Sequence, residues 1–137
     1  DGCTIYYEHE TGTDQVTASA VTAVTANIQS GDFDITRTQS GLADTRGDGE
    51  FLMKVRRFVP DFLSQTGNTQ VTLNLRNYPN STQASSPLGP FTITSSTTKV
   101  DTRARARAVS LKIANTGSSQ NWKLGGFRLD IQPDGRR

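Results

Sequence analysis

A single cysteine, Cys3, rules out any disulfide within the chain, and the sequence gives no support for passage through an oxidising compartment. Histidine is equally scarce. With His9 alone and no second thiol, a zinc site of ordinary ligand set is not expected. No apolar run approaches the roughly 20 residues that span a bilayer as a helix, so no membrane anchor is expected. No charged-then-apolar leader is present, and the sequence starts at Asp1 without Met. It therefore reads as a piece of a longer polypeptide. Hydrophobic residues make up only 33% and aromatics 7%, and no internal repeat is visible.

What remains is rich in Thr, Ser, Asn and Gly, with clear short apolar runs between polar turns. That combination favours an all-β domain over disorder. The 137 residues amount to one domain, 1–137. A chain of this length can bury roughly two-thirds of its unfolded surface. The net charge of +2 hides a division. Residues 1–50 carry two basic and nine acidic groups, residues 51–137 thirteen and four, so the halves stand at −7 and +9. An asymmetry of this size points to electrostatic partners for each half, within the fold or between identical chains, with nucleic acid as the less favoured reading.

Along the chain, “CTIYYEHE” (3–10) reads as a strand. A polar loop and a strand near 22–29 follow, then “SGDFDI” as a turn into a short extended piece. β-branched Val-Thr steps outweigh the alanines that would suggest helix. “TRTQSGLADTRGDGE” (36–50) reads as a long loop. “EFLMKVRRFVPDFL” (50–63) is the strongest apolar run, with Pro60 ending a ladder or marking an edge. “TQVTLNLRNYP” (69–79) alternates with Val71, Leu73 and Leu75 inward. “NSTQASSPLGP” (80–90) reads as loop and “FTITSSTTKVD” (91–101) as strand. In “NWKLGGFRLDIQ” (121–132) Phe127, Leu129 and Ile131 oppose Arg128 and Asp130. About eight short strands separated by turns predict an antiparallel β-sandwich, jelly-roll-like.

“TRARARAVSLKIAN” (102–115) contradicts itself. Arg103, Arg105 and Arg107 share a parity with Val109, Leu111 and Ile113, yet one face of a strand cannot serve solvent and core alike. Either 103–107 extend beyond the sandwich edge or over a subunit contact, or a bulge near Ala108 shifts the register.

“ANIQSGDFDI”, “GDGEFLMKVRRFVPDF” and “RARARAVSLKIANTGSSQNWKLGGFRLDIQPDGRR” resemble the C-terminal region of bacteriophage tail hub and nozzle proteins, including the packaged-DNA stabilisation type. The resemblance covers nearly all of the chain, about Tyr6 to Arg137. Related chains often carry RGRQ in place of RARA, and a short gap in place of “TRTQSGLADTR”. The resemblance implies a virion structural protein of the tail or head–tail region, assembled in the bacterial host cytoplasm. Its partners would be copies of itself in a ring and neighbouring virion proteins, and it would help to retain packaged DNA.

The arginine strand is the leading site candidate, because guanidinium forks suit carboxylate or phosphate. Asp32, Asp34, Asp44 and Glu50 in the acidic first third are its candidate partners, so Arg103, Arg105, Arg107, Asp32, Asp34 and Glu50 form the expected interface set. Non-specific DNA contact ranks lower, since a conduit that lets DNA slide should avoid tight phosphate capture. Neither “EHE” (8–10), “GDFD” (31–34) nor Asp44, Asp48 and Glu50 matches a calcium-loop pattern, so no metal and no cofactor are expected. His9 has no nucleophile near it in sequence, and an Asp32/Glu50 carboxylate pair is a weak glycosidase signal. The expectation is a non-enzyme with no catalytic residue. “RGD” (46–48) and “NST” (80–82) read as chance tripeptides in loops. Lone Trp122 reads as a core or sheet-flank aromatic. A carbohydrate-binding or host-attachment sandwich is the alternative, and exposed, coplanar Tyr7, Tyr78 and Trp122 would favour it.

Overall fold

The computed structural model describes residues 6–8, 13–17, 20–23, 25–35, 51–78, 86–115, 117 and 120–135, the first three strands by backbone alone. β1 (Tyr6–Glu8), β2 (Thr13–Thr17) and β3 (Ala20–Ala23) form an antiparallel sheet in that order. Seven further strands follow. They are β4 (Asn27–Gln29), β5 (Met53–Thr66), β6 (Thr69–Arg76), β7 (Ser86–Ile93), β8 (Val100–Ala106), β9 (Ala108–Asn115) and β10 (Asn121–Pro133). They make one sheet ordered β10-β5-β8 and a second ordered β4-β9-β6-β7, with every pairing antiparallel. No helix occurs among the described residues. With β4 counted as the second of eight strands, the sheets read 8-3-6 and 2-7-4-5, the winding of a jelly roll. The all-β antiparallel sandwich expected from the turn spacing is the fold.

The core fills the space between these two sheets. Met53, Val55, Phe58, Ala104 and Ala106 come from one, and Val71, Leu73, Ile93, Val109, Leu111 and Ile113 from the other. β6 keeps the expected alternation, with Val71 and Leu73 buried and Leu75 partly so. β5 changes parity midway. Met53 and Val55 point inward, then Phe58 does, because Arg56 is an extra residue between the partners of Ile131 and Asp130 on β10. A bulge of this kind places Arg56 and Arg57 in succession toward the outside. Pro60 lies past the end of the β5–β8 ladder, whose last pair is Phe58 and Val100, so its missing N–H costs no bond there. β5 passes to β6 in the other sheet through Gly67 and Asn68. Gly67 takes φ +76°, and the Gln65 amide donates to Gly67 O at 3.1 Å and Ile93 O at 2.8 Å.

Three segments differ from the sequence reading. The stretch taken as polar loop before residue 22 contains β2, and the strand near 22–29 is two strands, β3 and β4, in separate sheets. β7 begins at Ser86, inside the expected 80–90 loop, and the expected 91–101 strand is broken by a turn. There Thr97 N donates to Thr94 O at 3.0 Å, and Thr94 N to Thr97 Oγ1 at 3.0 Å. Thr94 Oγ1 also lies 3.0 Å from both Ser96 Oγ and Thr97 Oγ1. The same β-branched hydroxyl residues that favour strand can close a turn by bonding the local backbone. Phe127 does not join Leu129 and Ile131 in the core: it is 37% exposed. Residues 36–50 lie outside the described residues, so the loop reading, Asp44 and Glu50 fall there too.

The parity conflict in 102–115 resolves at a change of sheet. Thr102, Ala104 and Ala106 are the buried set of β8, and Val109, Leu111 and Ile113 that of β9. Arg107 is the bend between them, its N–H donating to Arg76 O at 3.2 Å. Just beyond, Phe33 and Val109 exchange backbone hydrogen bonds of 2.9 and 3.0 Å. Neither sequence-based account is the whole answer. The register shifts near Ala108, but because the chain leaves one sheet for the other, and Arg103 and Arg105 stand over the sandwich rather than beyond it.

Candidate functional site

β8 can carry arginines because its opposite face is small. Ala104 and Ala106 fit under the facing sheet, and the buried Thr102 hydroxyl donates to Val55 O on β5 at 2.6 Å. The intervening Arg103 and Arg105 are therefore held outward on a strand pinned to β5. Lys54, Arg56 and Arg57 of β5 join them on the outer face of the three-stranded sheet, with Arg128 and Asp130 of β10. A cleft of ≈ 290 Å³ on this face is walled by Lys54, Arg56, Arg57 and Arg103, with Asp101, Thr102 and Asp130.

Two of these cations are neutralised. Arg57 Nε donates to Asp101 Oδ1 at 2.6 Å, and Lys99 Nζ lies 3.8 Å from Asp101 Oδ2. The hydrogen bond from Arg57 holds the Asp101 carboxyl below its ordinary value, and the same bond raises Arg57 above its own. Arg105 pairs with Asp134 through Nε and Oδ2. Lys54, Arg56, Arg103 and Arg128 have no ion-pair partner among the described residues. Lys54 is moreover the direct cross-strand partner of Arg105. Like charges set opposite each other in a sheet are destabilising, and Asp134 supplies the counter-charge on the Arg105 side.

Of the expected acidic partners, Asp32 lies elsewhere and Glu50 is outside the described residues. Asp32 approaches Arg76, with Oδ2 3.3 Å from the buried Nε, an ion contact without hydrogen-bond geometry. It does not meet the β8 arginines. Asp34 lies half-buried one residue past the Phe33 bridge. Arg107 belongs to the sheet-changing bend, not to the row formed by Arg103 and Arg105. The face thus brings together Arg103 and Arg105 from the expected set, and adds Lys54, Arg56, Arg57, Arg128, Asp101 and Asp134. The run “KVRR” signals Lys54 and Arg56 by alternation alone. Arg57 needed the bulge.

Trp122 flanks the core, edge-on to Phe62 at a centroid distance of 6.3 Å and 81° between planes. Tyr78 is 60% exposed, and the Tyr7 side chain is outside the described residues. Among the described residues no group of three or more potential metal ligands clusters, and no helix is long and apolar enough to cross a membrane. No family model, curated protein or solved structure matches the chain.

Proposed function

We propose that this chain is a non-catalytic structural module of a phage tail hub or nozzle protein, seated against an anionic neighbour through the basic face of its three-stranded sheet. The observation that carries the docking role is the grouping of Lys54, Arg56 and Arg103, none with an ion-pair partner among the described residues, around one cleft on the outer face of the sheet. An approaching acidic surface supplies the counter-charge that these three cations lack. The resemblance of the arginine strand and of the terminal “WKLGGFRLDIQPDGRR” to virion proteins supports the tail assignment. The acidic first third of an adjacent copy, at −7, supplies a surface of the right sign. Asp32 is engaged by Arg76 of its own chain, so other carboxylates of that segment, or of a neighbouring virion protein, meet the basic face. Engagement of Trp122 with Phe62 favours this reading over a carbohydrate-binding sandwich, which would present the indole flat.

The test is the double variant Arg56→Glu with Arg103→Glu, read by particle assembly, by sedimentation, and by circular dichroism. Retained dichroism with lost assembly is the expected result. Unfolding would assign the cations to the fold. Normal assembly with premature loss of DNA would make the face a channel lining, where the partner is phosphate.

A further inference from the structure

Among the described residues β10 pairs on one side alone, with β5, and in a jelly-roll winding the place on its other side belongs to a further strand. The residues around that place are incompletely covered. Ile28 of β4 is the cross-strand partner of buried Ile113, and such partners share a face, yet Ile28 is 50% exposed. Leu129 and Ile131 pack on the core but are only partly buried, and Phe127 is 37% exposed. The edge itself is regular. From Gly126 to Pro133 each β10 residue takes a β5 partner in turn, and the one slip there, at Asp130 and Ile131, is an extra residue on β5.

The sequence of this edge matches itself. Laid antiparallel on a second copy about Leu129, the run Phe127-Arg128-Leu129-Asp130-Ile131 puts Phe127 opposite Ile131, Arg128 opposite Asp130 and Leu129 opposite Leu129. One face of the new ladder gains two arginine–aspartate pairs, and the other a continuous apolar row over Ile28. We infer that β10 pairs with β10 of a second copy across a two-fold axis at Leu129, joining two three-stranded sheets into one of six. This is an isologous contact by strand addition, in which one patch serves both partners. The chain's own β3, the strand just before β4, is held by β2 in a separate sheet. The inference goes beyond the virion reading; it uses Arg128 and Asp130 at the β10 edge of the outer face and does not depend on Lys54, Arg56 or Arg103.

Sedimentation equilibrium of the chain tests it. Wild type should associate to a dimer. Arg128→Asp and Asp130→Arg should each weaken that dimer at least about tenfold by setting like charges opposite each other. Mixing the two variants should restore it, since opposite charges then meet at both positions. The double variant R128D/D130R should dimerise alone, and it remains informative if a single variant fails to fold. Wild type that stays monomeric, or single variants that dimerise normally, overturn the inference. A monomer whose β10 amides are all protected from exchange overturns it too, showing that the chain covers its own edge.

Discussion

Arg57 on β5 and Asp101 on β8 face each other across the ladder, bound at 2.6 Å, beside a bulge that alone lets Arg57 reach outward. The bond lowers the Asp101 carboxyl from its ordinary value. What the pair contributes is therefore present at neutral pH and lost as pH falls through that depressed value. Both groups are exposed, so titration is a better readout than unfolding. A carboxyl-detected NMR titration should place Asp101 below an ordinary aspartate, and Arg57→Ala should return it upward. An unshifted Asp101 in wild type would contradict the geometry.

The sheet change at Arg107 predicts opposite outcomes at adjacent positions. Ala106→Arg forces a charge into the space beside Met53 and should cost several kcal/mol or prevent folding, as unpaired buried charges do. Arg105→Ala removes a half-exposed ion pair with Asp134 and should cost under about 1 kcal/mol. Urea unfolding of the two variants checks this; equal losses would mean that β8 is turned the other way.

Phe58 is 1% exposed and meets Phe91 edge-on at 6.0 Å, so Phe58→Ala should cost about 3–5 kcal/mol. Trp122 is only partly buried against Phe62, and Trp122→Ala should cost less, about 2 kcal/mol. Denaturant midpoints with an unchanged slope would confirm the order. A reversed order would place the indole in the centre of the core.

Gly89 has φ +117°, and a Cβ there would lie 2.9 Å from Val71 O on the paired strand β6. Gly89→Ala should therefore destabilise by about 1–3 kcal/mol, backbone strain and the clash acting together. A thermal melt at matched concentration measures it. An unchanged midpoint would show that β7 can shift away from β6.

The alternation of β6 was legible because one face of that strand meets core throughout: Val71 and Leu73 needed no tertiary information. The arginine strand was legible as a contradiction and no further. Periodicity reports which side chains share a face, but not that the face passes to a different sheet at Arg107. The Thr94–Thr97 turn was hidden for a related reason, since β-branched residues score as strand until their hydroxyls are seen to bond the local backbone. Arg103 and Arg105 were recognisable as exposed cations. Their neighbours Lys54 and Arg56 come from a strand more than forty residues earlier, and Asp134 from beyond the last strand. Only the winding of the sheets joins them.

That winding also sets a timetable. Ala26 and Asn115, bonded at the end of the β4–β9 ladder, lie 89 residues apart. At a synthesis rate of about 5–20 residues per second, β4 waits roughly 4–18 seconds for its partner to be made. During that interval β4 lacks its β9 partner, and β5 waits for neighbours that arrive as the eighth and tenth strands. A growing chain can form the β6–β7 hairpin early, but it cannot close the sandwich until its last strand has left the ribosome. The sheet around β5 is therefore completed only once β10 is available, and a chain released before Asn121 carries a β5 without that partner.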